Sequence, residues 1–362
     1  MTVPPVQKPA NMPPRLLTHI RWPLWVAQLA TGAKSFADNP LIGSRRLNTL
    51  GLHRLRVRAA HAMTRWRRRL LSGGVSHEDR EAFGRQGFVE WRDVLPPEDF
   101  RRMQDAILGR VWPARAMVQG HTLTRRIPVD ADMLRAVPEL AALLRHPRWR
   151  GLLRYVAASR NAPHYYIQTI LTHYDLPQGG AGEDEGEDYD PQNDPHADTF
   201  HSSMKAWLFL TDVALEDGPF SYVPGTHRLT PERLEWEHAR ALRAPGDLDP
   251  LSARGSFRAG AEDLEALGVG DPTPFPVPAN TLVVADTYGF HARGTASRPS
   301  VRVELWAYSR DNPFLPWTGL HPGSIPWLAN RRTHILWWLQ DRFPRLAGLP
   351  LTPITDKRPD QR

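Results

Sequence analysis

Short apolar runs rich in β-branched and aromatic residues follow one another through the second half of the chain. They cover residues 205–213, 220–223, 281–291 and 301–309, and a DGP turn at 217–219 separates the first two. Runs of this length between turn residues predict β-strands. The 35 prolines and 26 glycines of the chain agree with many turns and short strands. We therefore predict a mainly β fold of two facing sheets, with flanking helical segments at 77–110 and 131–158 that cover one sheet from outside.

A His-Ala-Asp tripeptide lies just before the first of these runs. Residues i and i+2 of a strand point to the same face, so His196 and Asp198 can direct two ligand atoms at one point. His291 ends a later run and adds a second imidazole. Two imidazoles and a carboxylate leave coordination positions open, which suits Fe(II) that binds a cosubstrate and oxygen. Arg302 could pair with a dicarboxylate through two parallel hydrogen bonds.

The His-x-Asp pattern is weak evidence by itself, because it occurs three times among the 15 histidines. At residues 77–79 it follows Ser76, which predicts the N-cap of a helix. At 173–175 it follows the strand-like run YYIQTIL and stays a competing ligand pair. His201 competes with His196 but lacks an acidic residue two positions on. His227 lies in a PGTHR turn, and we interpret it as structural.

The chain from roughly residue 80 to 310 resembles the phytanoyl-CoA dioxygenase family of Fe(II)- and 2-oxoglutarate-dependent oxygenases. The resemblance rests on the combination of motifs rather than on any one of them. These motifs are His196 with Asp198, GPFSYVPGTHR at 218–228, His291, Arg302 and the segment EAFGRQGFVEWRDVLPPEDF at 81–100. The resemblance implies a double-stranded β-helix core of the jelly-roll or cupin-like type. It also implies Fe(II) held by His196, Asp198 and His291, with 2-oxoglutarate and O2 as cosubstrates.

The same resemblance implies roles for further residues. Arg302 would bind the distal carboxylate of 2-oxoglutarate. Gln168 resembles a glutamine that contacts the cosubstrate in some relatives, and a structural role is the alternative. Two residues after His291 the chain has Arg293 where some relatives have a serine, so Arg293 could bind substrate. Relatives that halogenate typically lack the carboxylate of Asp198, so its presence favours hydroxylation.

Charge and composition suggest three parts: a basic N-terminal extension (1–75), the oxygenase domain (76–315) and a Trp-rich C-terminal extension (316–362). Residues 1–80 hold 14 Lys/Arg and three Asp/Glu, a net charge of +11, whereas the whole chain has +7. We expect the C-terminal extension to pack on the core through a helix with Ile335, Trp338 and Leu339 on one face.

The basic segment 52–71 predicts an amphipathic helix. The helix would either contact an anionic membrane surface or acidic partner, or pack on the core through its apolar stripe. The stripe consists of Leu52, Leu55, Ala59 and Met63. We predict no nucleic-acid binding, because no recognised motif accompanies the charge. The acidic run 179–194 is interpreted as a mobile loop near the mouth of the site.

Cysteine is absent, so any metal must be held by nitrogen and oxygen. The N-terminal residues do not show the pattern of a signal peptide, and we predict a soluble, cytoplasmic protein. The leading hypothesis is a dioxygenase that hydroxylates a small-molecule or lipid-like substrate. The alternatives are an inactive binding or scaffold protein on the same fold, which meets a membrane or partner through its basic N-terminus, and a jelly-roll metalloenzyme without 2-oxoglutarate.

Overall fold

The computed structural model describes residues 15–174, 190–246, 248–321, 324–329, 331–343 and 352–362. The helices run Arg15–Leu29 (α1), Arg45–Thr49 (α2), Leu52–Leu71 (α3), His77–Gln86 (α4), Pro97–Leu108 (α5), Ala131–Ala136 (α6), Pro138–Leu143 (α7), Pro147–Ala157 (α8), Pro231–Arg243 (α9), Pro250–Ala253 (α10), Ala261–Ala266 (α11), Pro326–Ala329 (α12) and Arg332–Arg342 (α13). The strands run Phe88–Trp91 (β1), Ala114–Gln119 (β2), Thr122–Pro128 (β3), His164–Leu171 (β4), Met204–Phe209 (β5), Phe220–Tyr222 (β6), Thr273–Pro274 (β7), Leu282–Asp286 (β8), His291–Arg293 (β9), Val301–Ser309 (β10) and Thr352–Ile354 (β11). The runs at 205–213, 220–223, 281–291 and 301–309 therefore contain strands, as predicted.

Two antiparallel sheets form the core of the described chain. The major sheet has the order β1-β8-β5-β10-β4-β3-β2-β11, and the minor sheet has the order β7-β6-β9. A bridge between His196 and His291 adds the segment around His196 to the minor sheet, next to β9. From β4 onward the chain passes back and forth between the sheets, so that β8-β5-β10-β4 faces β7-β6-β9 and the His196 segment. This winding is a double-stranded β-helix, and it confirms the predicted fold class.

The alternation of side chains along the central strands separates two cores. On β10, Val303, Leu305 and Ala307 face outward into the large apolar cluster that the helices α4 to α8 share. On the same strand Trp306 faces inward, where aromatic side chains of both sheets pack together. The helices therefore cover the outer face of the major sheet, as predicted for 131–158. The predicted helical segment at 77–110 contains α4 and α5, but β1 separates them and pairs with β8.

Helix α3 spans 52–71 as predicted, but the face that we expected to be buried is not the buried one. Leu55 is 67% exposed, whereas Val57 and Ala60 pack against Phe200 and Leu234. The buried face also carries arginines whose guanidinium groups bond to backbone carbonyl groups. Arg56 donates to the carbonyl oxygens of Leu29, Thr31 and Ala33, and Arg67 to those of Asn312 and Leu315. Part of the N-terminal positive charge thus holds loops in place; peripheral membrane contact stays a prediction.

The C-terminal helix α13 forms where the sequence predicts a helix, but its expected apolar face is not packed on the core. Ile335, Trp338 and Leu339 are between 39% and 63% exposed. The extension instead contacts the core through polar and edge interactions, because Arg115 pairs with Asp341 and β11 adds to the edge of β2.

One finding bears on the membrane: within the described ranges, no helix combines the length and apolar character needed to cross a bilayer. The acidic run and the 173–175 pair extend into residues 175–189, which lie outside the described residues. His173 itself follows β4, and its Nε2 lies 3.0 Å from the carbonyl oxygen of Ala296.

A buried ion pair attaches α3 to the end of β8. The guanidinium group of Arg68 lies 2.8 Å from the carboxylate of Asp286, which is 1% exposed and also accepts a hydrogen bond from the Ser202 hydroxyl. Burial alone would raise the pKa of Asp286, but Arg68 and these hydrogen bonds hold it below its usual range. Asp286 is therefore ionised and depends on Arg68 for charge compensation.

We expect Arg68→Met to lower the free energy of unfolding by about 3–5 kcal/mol, because it leaves the Asp286 carboxylate buried without its partner. Urea unfolding followed by circular dichroism measures this loss. Arg58→Met is the matched control, since Arg58 lies on the same helix and is exposed; its effect should stay within about 0.5 kcal/mol. Equal losses in the two variants would contradict a specific role for the ion pair.

Candidate metal centre

His196, Asp198 and His291 come together at one end of the minor sheet. The backbone N–H groups of His196 and His291 each donate to the other residue's carbonyl oxygen at 3.0 Å, so the two imidazoles lie side by side. The backbone N–H of Asp198 donates to the carbonyl oxygen of Thr287 at 2.9 Å. One ligand atom from each of the three side chains lies within 4.8 Å of the others.

Both histidines are held through the nitrogen that points away from the cluster. Nδ1 of His196 lies 2.7 Å from the carbonyl oxygen of Asp194, and Nδ1 of His291 lies 3.0 Å from that of Gly289. A carbonyl oxygen only accepts, so each Nδ1 carries the proton and each Nε2 keeps its lone pair. This is the arrangement that orients and polarises metal-bound imidazoles in proteins.

The protonation states also fit a cation. Burial lowers the pKa of His291 to about 4. Burial and the neighbouring His291 lower the pKa of His196 well below its ordinary value. Burial opposes ionisation of Asp198, but Lys205, His291 and Arg310 together hold its pKa well below the usual range. Two neutral imidazoles and one carboxylate are the donors that a divalent transition metal needs.

Lys205, on β5, lies within the cluster. Its ammonium group is 2.7 Å from Oδ2 and 3.0 Å from Oδ1 of Asp198, and 3.4 Å from Nε2 of His291. Lys34 also reaches the cluster from the N-terminal extension, and its ammonium group donates to the backbone carbonyl of Asp198 at 2.6 Å. Burial, and then repulsion by Arg310, lower the pKa of Lys34 to about 8. The neighbourhood of Asp198 is therefore strongly positive.

A cavity of about 190 Å³ lies beside the cluster, between the two sheets. Aromatic side chains from both sheets form part of its wall: Trp207, Phe220 and Trp306. The remainder of the wall is largely polar, because inward positions of β3, β4 and β10 carry polar residues. Such a mixed cavity can hold a small polar molecule against an apolar surface.

A row of polar side chains crosses the floor of this cavity at matching positions of three strands. Arg126 donates from Nε to Gln168 at 3.0 Å, and Gln168 donates to Glu304 at 2.7 Å. Glu304 lies 3.1 Å from Nε of Arg302, and Nη1 of Arg302 donates to the carbonyl oxygen of Gly218 at 2.9 Å. Burial raises the pKa of Glu304, although Arg302 opposes the shift.

Several of the residues singled out from the sequence line this cavity. Arg302 faces inward and lines the cavity together with Gln168 and Arg293. Arg293 is paired with Asp190 at 2.7 Å. Trp207 belongs to the core between the sheets and also lines the cavity.

The competing histidines lie outside the cluster. Nδ1 of His201 lies 2.9 Å from the carbonyl oxygen of Ser202, and its ring is fully buried. His227 is buried against Phe83. Ser76 caps α4 by accepting from the backbone N–H of Asp79, as the sequence predicted.

Sequence reasoning missed several charged residues of this region, among them Lys34, Lys205, Arg310, Arg126 and Glu304 as a partner of Arg302. The alternation within β5 carries a signal for Lys205, because it places Lys205 on the same face as Trp207. Nothing in the sequence indicates that Lys34 reaches the cluster, since 164 residues separate it from Asp198.

We expect Lys205→Met to tighten binding of a divalent metal about fivefold or more, because the ammonium group competes for the Asp198 carboxylate and repels the ion. Isothermal titration with Mn²⁺, in place of air-sensitive Fe²⁺, measures the affinity. Asp198→Ala should remove most binding and serves as the control. Weaker binding by Lys205→Met would show instead that Lys205 orients the carboxylate.

Comparison with known proteins gives one family match. Residues 83–253 match the family model "Phytanoyl-CoA dioxygenase (PhyH)". This range contains His196 and Asp198 and ends before His291. No curated protein matches the chain significantly.

Similar solved structures are distant. The epimerase SnoN in complex with Fe³⁺, alpha ketoglutarate and nogalamycin RO is 18% identical, with 68% of this chain and 90% of that chain covered and a TM-score of 0.42. HygX from Streptomyces hygroscopicus with nickel, 2-oxoglutarate and hygromycin B bound is 16% identical over 65% of this chain and 86% of that chain, with a TM-score of 0.38. The carbocyclase SnoK is 18% identical over 65% and 83%, with a TM-score of 0.37. Similarity at this level does not transfer a reaction or substrate.

The family match and the motifs of the sequence agree, and the double-stranded β-helix is observed independently of both. The resemblance predicted from His196, Asp198 and the GPFSYVPGTHR segment is therefore confirmed for residues 83–253, which the family model covers. Residues 83–253 of this chain are similar to the phytanoyl-CoA dioxygenase family.

Proposed function

We propose that this protein is an Fe(II)- and 2-oxoglutarate-dependent dioxygenase that hydroxylates a small-molecule or lipid-like substrate and releases succinate and CO2. The observation that carries the proposal is the pair of imidazoles fixed through Nδ1, with one ligand atom from each imidazole and one from the Asp198 carboxylate within 4.8 Å of one another. A scaffold protein has no need of three such fixed donors beside a cavity.

The three side chains would hold the iron on one side and leave the other side to the cosubstrates. When bound, Fe(II) with 2-oxoglutarate and O2 supplies the oxidising power, and oxidative decarboxylation of 2-oxoglutarate accompanies transfer of one oxygen atom to the substrate. The chain's own contribution is to fix the imidazoles through the Asp194 and Gly289 carbonyls and to keep Asp198 ionised.

The positive groups around the cavity favour a dianionic cosubstrate. Arg302, on β10, lines the same cavity as His196 and His291. It would bind the distal carboxylate of 2-oxoglutarate. Glu304 would compete with the cosubstrate carboxylate for Arg302; burial raises the pKa of Glu304, and Arg302 opposes this shift. Gln168 donates to Oε1 of Glu304, whereas Arg302 lies beside Oε2. Gln168 would thus set the position of Glu304 and, through it, that of Arg302.

The cavity wall favours a substrate with an apolar part. Trp207, Phe220 and Trp306 present aromatic surface beside His291, which would exclude water from the reacting carbon. The presence of Asp198 supports hydroxylation, since the resemblance associates halogenation with loss of this carboxylate.

We expect slow conversion of 2-oxoglutarate to succinate without added substrate in the presence of Fe(II). This activity should fall at least about 100-fold in Asp198→Ala and in His291→Ala, because loss of a ligand exceeds the 10- to 100-fold effect of losing an outer hydrogen-bond partner. His77→Ala is the control, since that imidazole is 85% exposed on α4. Activity that persists in both ligand variants would contradict the site, and a wild-type protein without turnover would favour the scaffold alternative.

Arg302→Ala should raise the 2-oxoglutarate KM roughly 10- to 100-fold, because a charge-assisted hydrogen bond contributes about 1.5–3 kcal/mol. Initial rates of succinate formation at varied 2-oxoglutarate measure the change. Arg298→Ala provides the control, since Arg298 precedes β10, is 56% exposed and pairs with Asp217. An unchanged KM in Arg302→Ala would show that another group binds the distal carboxylate.

A further inference from the structure

A second cleft, of about 500 Å³, lies between α3, the end of α4 and the PGTHR turn at 224–228. It shares no lining residue with the cavity of the metal centre. Its size is in the range of small-molecule sites. The basic helix α3 and the PGTHR turn, which are far apart in the sequence, meet at this cleft.

Three buried polar atoms in the wall of this cleft have no hydrogen-bond partner within the described residues. They are Nε2 of His61, Oγ1 of Thr64 and Nδ1 of His227. The three residues are 6%, 2% and 7% exposed. Burial of a polar group without a partner is unfavourable and rare in folded proteins. Residues that carry three such atoms line this one cleft, which favours a ligand with several polar atoms there.

The charged residues around the cleft are arginines, which favours an anionic ligand. Arg65 and Arg69 lie one turn apart on α3 and are exposed, and their guanidinium groups make no hydrogen bond or ion pair with another described residue. Arg228 lies across from them in the PGTHR turn, and its Nε donates to the carbonyl oxygen of Gly225. No acidic residue lines the cleft within the described chain. The nearby carboxylate of Asp286 is already compensated by Arg68.

The remaining donors are neutral. Burial lowers the pKa of His61 and of His227 to about 4, so each imidazole offers one N–H and one acceptor at neutral pH. Guanidinium groups at the rim and neutral donors inside suit an oxyanion with more than two peripheral oxygens. A phosphate group has three such oxygens and usually two charges, whereas a carboxylate has only two oxygens.

We propose that this cleft binds the phosphate group of a small phosphorylated molecule, with Arg65, Arg69 and Arg228 at the charged rim and His61 and Thr64 as inner partners. The site is distinct from the metal centre and does not depend on the proposed dioxygenase activity.

The test is isothermal titration of the full-length, metal-free protein with inorganic phosphate and with pyrophosphate at constant ionic strength. We expect saturable binding that is at least about tenfold weaker in the double variant Arg65→Gln/Arg69→Gln, because two charge-assisted contacts are lost. Arg58→Gln should bind within about twofold of the wild type, since Arg58 is an exposed arginine of the same helix outside the cleft. Thr64→Val, which removes only the buried hydroxyl group, should weaken binding about threefold or more.

Three outcomes would overturn the proposal. They are full affinity in the double variant, an equal loss in Arg58→Gln, and equally tight binding of succinate at the same cleft. Arg302→Ala should bind phosphate as tightly as the wild type, because Arg302 lines the other cavity. A loss of phosphate binding in Arg302→Ala would place the anion in the cavity of the metal centre instead and would also overturn the proposal.

Discussion

The reciprocal backbone pairing of His196 and His291 holds the candidate site together. These two hydrogen bonds add the His196 segment to β9, and they close the minor sheet opposite β5 and β10. His196 and His291 are directly paired across neighbouring segments of the sheet. The spacing between strands therefore sets the separation of their imidazole rings. The same winding brings Asp198 over Lys205. Ligand geometry is thus a property of strand pairing, and local loop conformation contributes less.

Positive charge is used structurally in much of this chain. Arg56 and Arg67 bond to carbonyl groups of loops, and Arg68 compensates the buried Asp286. These arginines replace apolar contacts on the buried face of α3. One face of this strongly basic helix is therefore buried in the protein. The opposite face exposes the unpaired guanidinium groups of Arg65 and Arg69.

The sequence predicts the strands and the shared direction of His196 and Asp198, because alternation and turn residues are local signals. The proximity of His291 was implied by the family resemblance, and the inward direction of Arg302 was an assumption, because alternation does not decide which face of β10 points inward. The buried face of α3 was predicted incorrectly, because an apolar stripe is a poor guide where arginines are buried by bonding to carbonyl groups. The contact of Lys34 with Asp198 depends on how two distant segments pack, and no local pattern carries that information.

That contact between Lys34 and the Asp198 carbonyl has a consequence for how the chain is divided. Lys34 of the basic N-terminal residues donates to the backbone of a candidate metal ligand, and α3 supplies the counter-ion of Asp286. A boundary at residue 75 is a boundary of composition, whereas cooperativity of unfolding should extend across it. Because Lys34 and Arg68 contact the sheet region directly, we expect changes in the extension to alter the stability of the segments that carry the candidate metal ligands.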